Sequence, residues 1–320
     1  MARGNEIIEA ARGMVLLSAQ QPNDYQFNDS DVGPLSVPSP GGPTVLRMAL
    51  GAQLRRLREA QRITREAAGQ AIRASHAKIS RLELGRVGFK ARDITDLLTL
   101  YNVTDEQQRN EFLALAQQAN EPGWWRHYSD AFPSWFEPYL GLEQASSLIR
   151  TYDIQFVPAL LLTEHSARAT LQLSRPRCSA EQLDRCVALQ MARQNFLIQP
   201  SAPHYWAVVD EAALRRPLGS HQTHRAQIRH LLEMAQLPNV TLQVLPLRAS
   251  AHPAVGPFTI LQFAEPDLPD IVYIEQLTSG VYLDKKRDTN QYFAVINQLC
   301  AEAETSASTI NFLKSIINDM

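Results

Sequence analysis

The chain has 320 residues, 45% of them hydrophobic, which is enough for two domains and more than one buried core. Its formal net charge of −2 conceals a local concentration: from Arg47 to Arg92 twelve Lys and Arg stand against three acids, Glu59, Glu66 and Glu83, so the remainder carries an excess of eleven acids. No run approaches the roughly eighteen apolar residues of a membrane helix, and no charged-then-apolar signal pattern opens the chain, so the expected location is cytoplasmic, with no membrane contact. Three cysteines, Cys178, Cys186 and Cys300, lack C-x-x-C spacing and read as buried or inert thiols rather than a zinc site or a disulfide framework.

Residues 1–43 divide into a short helical pattern at 6–17 and a polar stretch at 20–43 rich in Pro, Asp, Asn, Ser and Gly, read as a disordered linker. This extension is either a genuine tail or the product of a start codon placed too early.

The next segment carries the strongest signal. Apolar side chains recur at Leu50, Leu54 and Leu57 with arginines between them, then at Ile63, Ala67, Ala68, Ala71 and Ile72, and again at Ile79 and Leu82. This is the three- and four-residue spacing of short amphipathic helices sharing one small core. Thr64 and Ser75 each place a hydroxyl where a helix start needs an acceptor, and Gly85 supplies a stop. Only Ile72-Arg73-Ala74 lies between two of the helices, which suits a helix-turn-helix with residues 75–83 as the recognition helix. The concentrated positive charge suits a polyanion, since phosphate neutralisation supplies most non-specific affinity for DNA. Two further amphipathic helices, 94–101 and 106–119, complete a five-helix all-α domain over residues 44–120, the second capped by Thr104 or Asp105 and the whole closed by Asn120-Glu-Pro-Gly123.

Seven aromatics follow within a short span: Trp124, Trp125, Tyr128, Phe132, Trp135, Phe136 and Tyr139. They form either an exposed platform for bases or, as favoured here, a hinge packed against the next domain. From there the pattern mixes helices, expected at 139–152, 163–173, 180–197, 221–236 and 286–300, with strands at 205–209, 240–245, 258–263 and 271–275. The order predicts an α/β or α+β domain with a small sheet over residues 121–305, and a C-terminal tail at 306–320.

Residues 44–119, with Lys78-Ile-Ser-Arg-Leu-Glu83 and then Gly85-Arg86, resemble the XRE family of Cro and phage-repressor-like helix-turn-helix proteins, in its actinobacterial branch. Gly123-Trp-Trp-Arg126, Trp135, Tyr139, Leu142-Glu143, the segments 208–219 and 238–246, Gly256-Pro-Phe258 and Val272-Tyr-Ile-Glu275 resemble the effector domain of Scr1-type, antitoxin-like regulators, a domain of unknown function. The resemblance implies a sequence-specific transcription regulator that binds operator DNA, whose second domain binds a small partner protein encoded nearby or a ligand that alters DNA affinity. The alternative it leaves is an antitoxin-like protein that neutralises a small toxin and autoregulates its operon. A homodimer is expected, because one helix-turn-helix reads only a half-site.

Four departures from the family pattern stand out. Arg65 replaces a Gln, Arg73 replaces a Gly in the turn, Pro158-Ala-Leu-Leu-Leu-Thr163 replaces Pro-Gly-Leu-Leu-Gln-Thr, and Ser166-Ala167 replaces Tyr-Ala. Arg73 makes a left-handed backbone there less favourable than Gly would, by roughly 1 kcal/mol. If segment 158–163 lines a pocket or meets a partner, specificity has shifted.

In the recognition helix Ser75, His76 and Lys78 are assigned to base edges or nearby phosphates, and Ser80 and Arg81 to the backbone. Thr64 and Arg65 are assigned to phosphate at the start of the preceding helix. Ile79 and Leu82 belong to the core, and Glu83 to an ion pair with a first-helix arginine such as Arg55. Elsewhere, His221-x-x-His224 lacks the companions of a metal site, and His204 and His252 sit beside Pro as turn residues. Gly141 and Gly219 are isolated, and neither a phosphate-cradling loop nor Gly-x-Ser-x-Gly is present. Asp210-Glu211 read as a helix start rather than a ligand site, and Glu275 as a weaker strand-end candidate. An enzyme targeted to DNA is the remaining class, but no nucleophile, metal set or cofactor loop supports it, so neither catalysis nor a cofactor is expected.

Overall fold

A computed structural model describes residues 42–249, 254, 256–265 and 268–320. The helical pattern at 6–17, the linker up to residue 41 and His252 lie outside the described residues. Helices α1 (Pro43–Ala60), α2 (Arg65–Ala71), α3 (His76–Glu83), α4 (Ala91–Leu100) and α5 (Glu106–Ala119) form the first part of the structure. Pro43 opens α1 at a position where a helix has no use for its amide. Asp105 caps α5 by accepting from the backbone amides of Gln107 and Gln108. Leu50, Leu54, Ile79, Leu82, Ile94, Leu97 and Leu98 are buried almost completely, so the small helical core predicted from spacing is present.

The second part is built on a six-stranded sheet: β1 (Leu148–Asp153), β2 (His204–Asp210), β3 (Val240–Leu245), β4 (Phe258–Gln262), β5 (Ile271–Glu275) and β6 (Gly280–Leu283), in the spatial order β3-β2-β1-β4-β5-β6. Strands β1, β2 and β3 pair in parallel, and β4, β5 and β6 continue from β1 by antiparallel pairing. Helices α6 (Glu137–Ala145), α7 (Glu164–Ser174), α8 (Ala180–Gln194), α9 (Glu211–Arg215), α10 (His221–Met234), α11 (Lys286–Glu302) and α12 (Ser306–Asp319) surround it. Alternation along the strands serves two cores. Ile149, Tyr205, Ala207, Val209, Leu242 and Val244 meet Leu142 of α6, Ile228 and Leu231 of α10, and Leu313 and Ile316 of α12. Tyr152, Val208, Phe258, Ile260 and Val272 meet Ile296 and Leu299 of α11. The protein is thus multidomain, helical first and mixed α and β second, as expected.

Three expectations are corrected. The single helix at 139–152 is instead α6 followed by β1, the strand at the middle of the sheet. Leu142, Ala145, Ile149 and Tyr152 keep a helix-like spacing, but the pair Ser146-Ser147 ends α6, and flanking by β2 and β4 draws the rest into the ladder. The tail at 306–320 is helix α12, capped by Thr305, with Leu313 fully buried and Thr309 Oγ1 accepting from the backbone amide of Val244. Strand β6 was not anticipated.

The boundary near residue 120 is bridged by α1, which contributes to the cores on both sides of it. Val45 and Met48 of α1 are buried in the same cluster as Tyr139 and Leu142 of α6 and the sheet residues behind them. Gly141 on α6 allows this approach: a β-carbon there would fall 1.8 Å from Thr44 Oγ1 and 2.9 Å from the Trp125 ring. The aromatic stretch is a packed hinge, in which Trp125 is buried, Phe136 stacks on Tyr139 at 5.2 Å, and Tyr139 meets Tyr273 of β5 at 4.3 Å.

Candidate nucleic-acid interface

Helices α2 and α3 are set by their caps. Thr64 Oγ1 accepts from the amide of Ala67 at 3.2 Å, and Ser75 Oγ accepts from that of Lys78 at 3.4 Å. Between them Arg73 adopts φ +55°, the left-handed backbone for which Gly is the easy residue, and the amide of Ala74 donates to the carbonyl of Gly69 at 2.8 Å. Gly85 closes α3 with φ +64°, and the amide of Arg86 donates back to the carbonyl of Arg81. Helix α3 is pressed against α1 at Gly51, where a β-carbon would lie 2.4 Å from the carbonyl oxygen of Leu82.

An ion network holds this arrangement. Glu83, buried at the end of α3, accepts from Arg58 Nε at 2.5 Å and Nη2 at 3.1 Å, and from Arg65 Nε at 3.0 Å. Arg58 also donates to the carbonyl of Ile63, so one guanidinium joins α1, the α1–α2 turn and α3. Hydrogen bonding to Glu83 raises the Arg58 pKa, while burial and the nearby Glu83 charge push the Tyr101 phenol up as well. The first-helix partner of Glu83 is therefore Arg58, not Arg55, which pairs with Glu59 on the same exposed face at 2.8 Å. The reason is geometric: three residues separate Arg55 from Arg58, close to one turn, yet only Arg58 is buried where α1 crosses α3.

The seven assigned residues divide by their contacts. On α3, Ile79, Leu82 and Glu83 point inward, while His76, Ala77 and Arg81 are exposed and Ser80 is half-buried. At 100° per residue, positions 76, 77, 80 and 81 share one outward face. Lys78 lies at its flank, its Nζ held 2.5 Å from Asp93 Oδ2 of α4. Thr64 and Ser75 are exposed and serve as caps, and Arg65 is half-buried beside Glu83. His76 and Arg81 have no side-chain partner among the described residues. Spacing had not singled out Ala77, whose methyl can meet a thymine methyl, nor Arg62, Arg73 and Lys90, which are exposed and without an ion pair among the described residues.

The junction with the second domain holds two features with no sequence signal. Arg86, just beyond α3, places Nη2 2.7 Å from Asp284 Oδ2 at the β6–α11 turn, 198 residues away. A cleft of about 290 Å³ is lined by Arg47, Gly88, Asn120, Trp125, Arg126 and Glu137, among others. Burial lowers the Arg47 pKa against the opposing pull of Glu137, and its Nε is buried without a partner among the described residues.

Within the second domain, the remaining candidates are structural in their contacts. Arg193 forks onto Glu143 at 2.7 and 2.8 Å, beneath the rings of Phe136 and Tyr139, with both ion-pair side chains buried. In segment 158–163 Leu160, Leu161 and Leu162 are buried, and the carbonyls of Ala159, Leu161 and Leu162 accept from Gln190, Gln194 and Gln227. Of the changed residues, Leu162 is packed in the core and Ala159 is half-buried. Asp210 caps α9, and Glu211 accepts from Arg215 and from the amide of Leu247. Glu275 accepts from the Tyr273 hydroxyl. His224 is buried, which lowers its pKa, and among the described residues no third ligand joins it and His221.

A capped pair of short helices joined by a four-residue turn, with a polar outward face, on a helical platform, is a helix-turn-helix DNA-binding domain, and residues 49–112 match the family described as Helix-turn-helix domain. The chain is a DNA-binding regulator. Residues 136–315 match the family described as Domain of unknown function (DUF5753), and the chain belongs to that family. No curated protein and no solved structure matches it. Among the described residues no helix is long and apolar enough to cross a membrane.

Proposed function

We propose that the protein is a sequence-specific transcription regulator of the XRE type, acting as a homodimer on operator DNA. In this reading the DUF5753 domain is a Scr1-type effector that binds a small partner protein encoded nearby, or a ligand, and thereby changes DNA affinity. It has no catalytic role and works in the cytoplasm, at the nucleoid when bound to DNA. The observation that carries the reading is the burial of Val45 and Met48 of α1 in the core of the second domain. Helix α1 is the platform on which Glu83 and the recognition helix rest, so a partner that favours one placement of α6 favours one placement of α3. By linkage, a partner that weakens DNA binding must itself bind the DNA complex less tightly. The junction cleft, with the unsatisfied Arg47 Nε, supports a small acidic ligand as an effector.

The test is a salt-titrated binding assay of the full chain against its own upstream DNA and a scrambled duplex, with and without the products of neighbouring genes. Preference for the native fragment that a neighbouring product alters is the expected result. Equal binding to both fragments that no neighbouring product changes would count against sequence-specific regulation. A neighbouring product that is toxic alone and harmless with this protein would favour the antitoxin reading.

A further inference from the structure

We propose that Lys285, Lys286 and Arg287, at the β6–α11 turn of the DUF5753 domain, form a second phosphate-binding patch that grips the DNA backbone beside the half-site read by α3. The inference rests on the DNA-binding reading above and adds to it a part of the surface that no helix-turn-helix includes.

The helical domain has few cations to spare. Arg55, Arg58, Arg65, Lys78, Arg86 and Arg92 each face an acid within 4 Å. Arg62, Arg73, Arg81 and Lys90 are exposed without an ion pair among the described residues. Lys285, Lys286 and Arg287 are consecutive, all exposed, and likewise unpaired among the described residues. Their acidic neighbours are Asp284, already engaged by Arg86, and the half-buried Asp288.

The Arg86–Asp284 contact of 2.7 Å fixes the patch against the C-terminal end of the recognition helix. The turn is also anchored behind, where the Tyr282 hydroxyl donates to the carbonyl of Trp135 at 2.8 Å. An eight-residue helix is about 12 Å long, so the patch stands on the order of 20 Å from the end of α3 that enters the groove. A duplex turn is about 34 Å, so cations at this distance fall within one turn of the half-site read by α3. Phosphate contacts of this kind orient a reader without specifying bases.

Fluorescence anisotropy of the full chain with random-sequence duplexes of about 12 and about 30 base pairs, titrated with salt, tests this. For Lys285→Gln/Lys286→Gln/Arg287→Gln, the slope of log K against log salt on the longer duplex is expected to become shallower by about 2 to 3, given about 0.9 per phosphate neutralised. Lys285→Arg/Lys286→Arg, which keeps both charges, should keep the wild-type slope. An unchanged slope in the triple variant on the longer duplex, with wild type binding normally, overturns this proposal alone. A wild-type chain that binds neither duplex at low salt overturns the DNA-binding reading and this proposal with it.

Discussion

Lys78 Nζ on α3 lies 2.5 Å from Asp93 Oδ2 on α4, so the lysine in the first turn of α3 is restrained by a carboxylate of its own domain. Asp93 is buried and Lys78 half-buried, which places the pair at the margin of the core rather than in open solvent. On the proposed reading, DNA binding either keeps this pair while Lys78 uses its remaining donors, or exchanges the carboxylate for a base or phosphate.

Two substitutions separate these roles. Lys78→Ala is expected to cost about 1 to 3 kcal/mol on operator DNA and to relax preference at one base pair. Asp93→Asn is expected to tighten binding to scrambled duplex and to steepen its salt dependence by about one phosphate. Competition binding with single-base operator variants reads the first, and equal losses on operator and scrambled DNA would remove Lys78 from the base-reading set.

Arg73 holds a left-handed backbone at φ +55° with an exposed side chain and no ion pair among the described residues. Arg73→Gly should therefore raise stability by up to about 1 kcal/mol, measured by denaturant unfolding. It should also weaken DNA binding slightly and equally across sequences, because one free cation is lost. A loss of stability would show that the Arg73 side chain makes a favourable contact that outweighs the backbone strain.

Glu83 is the common acceptor for Arg58 and Arg65. Glu83→Gln leaves the buried Arg58 guanidinium without its carboxylate, and the expected loss is about 3 kcal/mol, in the range for breaking a buried ion pair from one side. Because α1 is shared between the two cores, the melting temperature of the whole chain should fall, in a single calorimetric transition. A separate, lower transition confined to the helical part would contradict the shared-core account.

Burial pushes the Asp153 carboxyl at the end of β1 up to about 7, assisted by the Glu275 charge and opposed by the hydrogen bond from Thr151. The unfolded carboxyl ionises near 4, so the folded state holds the proton more tightly between about pH 4 and 7. Its contribution to stability is present below pH 4, falls as pH rises through this window, and is gone above pH 7. Asp153→Asn, neutral throughout, should thus gain stability over wild type as pH rises, with a larger advantage at pH 8 than at pH 5. Urea midpoints at the two pH values measure it, and an equal offset at both would refute the shifted carboxyl.

What the sequence determined by itself is mostly local. The caps at Thr64 and Ser75, the stop at Gly85 and the inward set Leu50, Leu54, Ile79 and Leu82 follow from hydrogen-bonding needs and periodicity within a few residues, and all were legible, whereas the choice of Asp105 over Thr104 as a cap was not. So were helices α7, α8, α10 and α11 and strands β2 to β5, whose β-branched or aromatic runs are bounded by turn residues. The tertiary structure decided what depends on partners far along the chain. Strand β1 has a helical spacing until β2 and β4 flank it, and α12 is a tail until its Leu313 finds the sheet. Choosing Arg58 over Arg55 for Glu83, holding Lys78 at Asp93, and joining Arg86 to Asp284 across 198 residues are outcomes of how helices cross. Charge and spacing identify which side chains can meet an anion, but only packing determines which of them already have one.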